Sequence, residues 1–240
     1  MRGEQRKVNK EAFEDPVGRE RLREHINIAG AILDDLVGLG YDVDTLDDLR
    51  HLGKPWKTAL PTLLRWLPEI QDVNVKESIV RCLSVPWFGN TATAELIEEF
   101  RKYAPIHPNL SNPWVGNKLR ELSDEEKNGG PFFNLAWAIG NALSIVDVTG
   151  FEKQIIELCG NQKYGMTRQM LVLSLGGLRS PEAEETAVKL LNDEGVQLHA
   201  IGALGKMKSK RALFELEKLL TDKRGAIRKE ARKAITKIMR

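Results

Sequence analysis

Apolar residues recur at three- and four-residue steps along most of the chain, and no segment sustains the alternation of a half-buried strand. The pattern therefore predicts helices and almost no β-structure. Residues 1–14 are charged, aperiodic and expected to fray as a flexible N-terminus. Asp15-Pro16 reads as a helix start, with Asp capping free amides and Pro at the first helical position. Leu22, Ile26, Ala29, Leu33 and Leu36 form the apolar stripe of that helix, which Gly38 and Gly40 end. A short helix from Thr45 to Leu52 closes at Gly53. Together they form an expected N-terminal helical cap over residues 15–55.

From Trp56 onward the predicted helices come in pairs, giving an array over residues 56–240. First helices are expected over 56–67, 91–103, 150–159, 181–191 and 210–220. Ser180 and Ser209 are placed to cap two of them, and Thr149 with Glu152 has the spacing of a capping box. The second helices align on their small residues Cys82, Ala138, Ser174, Ala203 and Ala234. Separations of 56, 36, 29 and 31 residues make one period near 30, plus an insertion of about 26 within the second pair, at 104–130. A large aliphatic follows each small residue, and then another small residue: Ser84, Gly140, Gly176, Gly205 and Thr236. Such recurrence is expected when every hairpin packs on its neighbour in the same way.

Segments such as LAWAIGNALSIVD, HAIGALGKMKS and EARKAITKI resemble HEAT repeats, in particular the short bacterial HEAT-like type found in phycobilin lyases. The resemblance covers roughly residues 56–240. It implies an all-α fold, a right-handed α-solenoid of about five hairpins, whose second helices line a concave side that binds other macromolecules. It implies no chemistry.

Counting each second helix from Val75, Pro131, Thr167, Val196 and Ile227 as position 0, the buried stripe falls at positions 0, 4, 7, 8 and 11. Positions 2, 6 and 9 point the other way and should floor the concavity. Position 2 reads Glu77, Phe133, Gln169, Leu198 and Lys229, and position 6 reads Arg81, Trp137, Leu173, Gly202 and Lys233. The small residues Ser84, Gly140, Gly176, Gly205 and Thr236 occupy position 9. An apolar middle between polar ends is the expected groove for a protein or peptide partner, unless these side chains turn between layers or the insertion covers them. Two pentapeptides, Pro86 to Asn90 and Pro113 to Asn117, resemble each other and read as helix-end turns anchored by an indole.

Composition narrows the chemistry. The chain carries 36 Lys and Arg against 34 Asp and Glu, so no global charge favours nucleic acid or an anionic membrane. The charge is uneven, however: residues 206–240 hold 13 basic and four acidic side chains, whereas residues 1–150 hold 18 and 23. A basic last repeat reads either as a solvated cap or as a partner contact. No apolar run approaches the roughly 20 residues of a membrane span. Two distant cysteines, Cys82 and Cys159, indicate a reducing, cytoplasmic setting rather than a disulfide framework.

No phosphate-binding loop, dinucleotide fingerprint or nucleophile elbow is present. Histidines stand at 25, 51, 107 and 199, none followed by the Glu that di-iron hydroxylases on this scaffold need. Asp42, Asp44, Asp47 and Asp48 form an acidic cluster but lack the glycine and final glutamate of a calcium loop, so they read as an acidic first helical turn. No catalytic residue, metal or cofactor is expected, and the leading expectation is a non-enzymatic scaffold or adaptor. A nucleic-acid-binding reading, after the HEAT-like DNA glycosylases, would recruit Trp137 and Arg81; a floor without Asp and without continuous basic charge disfavours it. Bilin attachment has similar repeats behind it but no feature of its own in these residues.

Overall fold

The computed structural model describes residues 16–104, 114–115, 118–119 and 124–240. The expected fraying of 1–14, the Asp15 cap, His107, most of the insertion and the side chains of Leu22 and Ile26 lie outside the described residues. The described secondary structure is twelve α-helices, short 3₁₀ turns and one two-residue ladder, and the chain divides into two compact units, Met1–Cys82 and Leu83–Arg240.

The first unit contains α1 (Pro16–Gly38), α2 (Leu46–Arg50), α3 (Leu60–Glu69) and nearly all of α4 (Val73–Leu83). Ala29, Ile32, Leu33 and Leu36 of α1 are buried. The helix ends where Gly40 takes φ +87°, which lets the Tyr41 amide reach back to the Leu36 carbonyl at 3.1 Å. In α2 the acidic cluster works as a cap: Thr45 Oγ1 accepts from the Asp48 amide, and the Asp48 carboxylate accepts from the Thr45 amide at 2.9 Å. Helices α1 and α3 are tied through Asp35, which accepts from Trp66 Nε1 at 2.7 Å and pairs with Arg65. The first hairpin, α3 with α4, thus shares a unit with the N-terminal helices.

The second unit is an α-solenoid of hairpins. Its helices are α5 (Thr93–Tyr103), α6 (Asp124–Ile145), α7 (Glu152–Gly160), α8 (Gln169–Val172), α9 (Pro181–Lys189), α10 (Gln197–Met207), α11 (Leu213–Lys218) and α12 (Gly225–Ile238). Second helices pack on second helices in the order α6, α8, α10, α12. Positions 0, 4 and 7 are buried in every repeat where the side chain is described, and position 8 in all but the last, where Ile235 is half-buried. The array therefore follows the sequence register.

Four local expectations are corrected. Thr149 does not cap α7, because its hydroxyl donates to Asp147 Oδ1 at 2.6 Å and Phe151 takes the cap position. The third second helix is not a continuous α-helix. Its α-helical core, α8, has four residues, followed by a 3₁₀ segment Leu173–Gly177, where Ser174 Oγ donates back to the Leu171 carbonyl at 2.6 Å and two glycines weaken helical propagation. Trp114–Val115 is not a helix-end turn but a strand, paired antiparallel with Lys118–Leu119. Its partner pentapeptide does form a helical turn, the 3₁₀ segment Pro86–Phe88, closed by Gly89 at φ +60°. Position 11 is not uniformly buried: Ala142, Leu178 and Ile238 are, whereas Pro86 is exposed.

Candidate functional site

The face opposite the buried stripe is built by the second helices, and how closely they approach decides which positions it offers. At position 9 a Cβ on Gly140 would lie 3.1 Å from the Leu171 amide nitrogen. One on Gly176 would lie 3.0 Å from the Lys206 stem, and one on Gly205 only 2.9 Å from Ala234 Cα. These glycines are buried contacts between successive second helices, not part of an open floor. Ser84 is half-buried and Thr236 exposed.

Positions 2 and 6 remain at the surface. Phe133, Trp137 and Leu173 are half-buried, and Leu198 is 37% exposed. Leu173 leans over the next repeat, where a Cβ on Gly202 would meet its Cδ2 at 3.4 Å. Lys229 and Lys233 are exposed, and Lys233 pairs with Glu230 at 3.0 Å. Gln169 is committed elsewhere: its Nε2 donates to the Gly195 carbonyl at 2.8 Å, pinning repeat three to the turn of repeat four. Glu77 and Arg81 belong to the first unit and pair with each other, Arg81 Nε donating to Glu77 Oε1 at 2.9 Å. Within the second unit, the candidate face is thus Phe133, Trp137, Leu173 and Leu198, followed by Lys229 and Lys233.

Position 1 holds a polar row that the sequence reading passed over. The Lys76 ammonium donates to the Leu67 carbonyl at 2.5 Å, Arg168 Nη1 to the Cys159 carbonyl at 2.7 Å, Gln197 Nε2 to the Leu191 carbonyl at 2.6 Å, and Arg228 Nη1 to the Asp222 carbonyl at 2.7 Å. Each donor satisfies a carbonyl left open where the first helix of its own hairpin ends. Arg168 also pairs with Asp193, and Gln197 Oε1 accepts from Arg224 at 2.5 Å, so the row links consecutive repeats. A polar residue next to position 0 in four of five repeats was the available signal.

The titratable groups of the array are shifted by burial and by hydrogen bonds. Burial pushes the Cys159 thiol up to about 12. Hydrogen bonds from the Arg224 side chain and amide hold Asp222 far below the usual carboxylate range. Burial lowers the His199 imidazole, Glu230 opposes this only in part, and His199 Nδ1 has no hydrogen-bond partner among the described residues. Among the described residues no three His, Cys, Asp or Glu are grouped to hold a metal ion, and no helix is long and apolar enough to cross a membrane. A cleft of about 730 Å³ lies elsewhere, lined by Gly160, Gln162, Lys189, Asn192 and Asp193. The Asp193 carboxylate there is already engaged by Arg168 and the Gly195 amide.

No curated protein matches the chain. The family model of HEAT repeats matches residues 153–236, which span α7 to α12 and supply Leu173, Leu198, Lys229 and Lys233 of the candidate face. By that match, the last three hairpins are similar to HEAT repeats.

Proposed function

We propose that the second unit is a non-enzymatic interaction scaffold that holds a protein or peptide segment along its second-helix face. HEAT repeats commonly act as protein-interaction scaffolds. The observation that carries the reading is that Phe133, Trp137, Leu173 and Leu198 keep exposed surface at register positions 2 and 6, while positions 0, 4 and 7 already fill the core. Apolar area that the core does not use is available to a partner, at roughly 25 cal/mol per Å² before the cost of ordering the bound segment. The close glycine contacts of the second helices favour a bend with these helices on its inner side, which would give the segment a groove. A reducing, cytoplasmic setting agrees with two free, buried thiols.

The test is selection of displayed peptides on the wild-type protein and on a Trp137→Ala, Leu173→Glu double variant that melts as the wild type does. The wild type should enrich peptides with closely spaced apolar anchors, and the variant should lose them. Equal enrichment on both proteins removes the groove.

A further inference from the structure

The packing order α6, α8, α10, α12 turns each register position into a row along the array. Position 2 reads Phe133, Gln169, Leu198, Lys229; position 6 reads Trp137, Leu173, Gly202, Lys233; position 10 reads Asn141, Gly177, Lys206, Lys237. All three rows end in lysine. Lys206, Lys229, Lys233 and Lys237 are exposed, and of these only Lys233 has an ion-pair partner among the described residues. Two of the lysine stems lie against the glycine contacts of the preceding repeat: a Cβ on Gly176 would meet Lys206 Cδ at 3.0 Å, and one on Gly205 would meet Lys237 Cδ at 3.7 Å. Resting on backbone in this way holds the ammonium groups toward one face.

A solvated end needs polarity, not a single sign of charge. Of the surface cations of the array, Lys189 pairs with Glu185 and Lys218 with Glu215, whereas Lys206, Lys229 and Lys237 have no ion-pair partner among the described residues. On α12, Lys229, Lys233 and Lys237 follow one another at four-residue steps, and Arg232 on that helix and Arg240 just past its end are also exposed, neither with an ion-pair partner among the described residues. Like charges at that spacing repel, so the free protein gains nothing from the arrangement. An anionic partner would.

We infer, on the reading that this face holds a peptide, that the bound segment is acidic beside its apolar anchors: apolar over α6 to α10 and rich in Asp or Glu over α12. The continuity of the apolar and lysine rows favours such a segment over a nucleic-acid duplex, whose paired bases are stacked inside and leave mainly sugar and phosphate to meet Phe133, Trp137 and Leu173. Packed helices lie about 8–10 Å apart, and an extended chain advances about 3.3 Å per residue. The segment therefore crosses one helix about every three residues, which sets the apolar anchors about three to nine residues from the acidic run.

Two synthetic peptides test this, identical in their Leu and Phe anchors but carrying four Glu or four Gln at that distance, with binding read by fluorescence anisotropy at low and high salt. The Glu peptide should bind about tenfold more tightly at low salt, and the advantage should vanish at high salt. A Lys229→Glu, Lys237→Glu variant should erase the advantage, binding the Glu peptide no more tightly than the Gln peptide. Equal binding of the two peptides by the wild type, or an advantage that survives the lysine variant, overturns the inference. The Trp137→Ala, Leu173→Glu variant separates it from the groove reading: if that variant weakens both peptides while the lysine variant changes nothing, the groove stands and the acidic preference falls. If it binds both as the wild type does, the groove itself falls, and the inference with it. A short DNA duplex is the third arm. Tighter binding of duplex than of the Glu peptide, lost in the lysine variant, would assign the lysines to nucleic acid instead.

Discussion

At the scale of single residues, the buried polar groups Thr167, Arg168, Ser174 and Gln197 have backbone partners, and this is what makes them tolerable. Arg168 is 1% exposed, yet it donates to two carbonyls and pairs with Asp193. Such a group contributes connection between repeats more than net stability, because its desolvation offsets much of its attraction. His199 differs from these groups, with a buried Nδ1 that lacks a hydrogen-bond partner among the described residues. Its folded-state pKa is lowered by burial, so between that value and the unfolded value of about 6.5 the unfolded chain binds more protons. Stability should accordingly be full above that window and fall as pH drops through it. Urea midpoints at pH 7.5 and 5.5 should show a larger loss in the wild type than in His199→Gln; equal losses would mean that His199 does not titrate across the window.

The element that sets the geometry of the face is the glycine crossing between second helices. Gly205 has no room for a side chain, since its Cβ would sit 2.9 Å from the backbone of Ala234. Gly205→Val should therefore force α10 and α12 apart and cost about 1–3 kcal/mol of stability, read from chemical denaturation. Gly160→Ala, at the end of α7 with nothing within 4 Å, should carry no such cost. A Gly205→Val protein as stable as the wild type would show that the helices are not held at that distance. The 3₁₀ segment of repeat three belongs to the same scale: Ser174 back-bonding and adjacent glycines exchange helical regularity for close contact with Lys206 and Ala203.

For the whole molecule, the two compact units each contain one buried cysteine, Cys82 in the first and Cys159 in the second. Burial pushes both thiols up to about 12, so neither should be alkylated at pH 8 under native conditions. Mass spectrometry of alkylated peptides along a urea series then reports the opening of each unit separately. Labelling of either thiol without denaturant would contradict its burial. Charge also belongs to this scale. The chain is nearly neutral overall, but residues 206–240 hold 13 basic side chains against four acidic ones, and of the five on α12 only Lys233 has an ion-pair partner among the described residues.

The periodic stripe at positions 0, 4, 7 and 8 was determined by sequence alone, because core packing selects side-chain size and polarity at a helical repeat. Ser180 and Ser209 were legible as caps for a similar reason, since their partners lie three residues away: the amides of Ala183 and Ala212. Thr149 misled the reading because Asp147 competes for its hydroxyl. Residues of the candidate face were named from the register, but that Gln169 is spent on Gly195 could only come from tertiary structure. The same holds for Arg168, whose partners are mostly carbonyls that every residue possesses and no sequence marks. The glycines were legible as small but not as contacts, because a missing side chain does not say what approaches it. Side-chain patterns record the demands of the core, whereas backbone hydrogen bonds and the distance between helices exist only once the chain has folded.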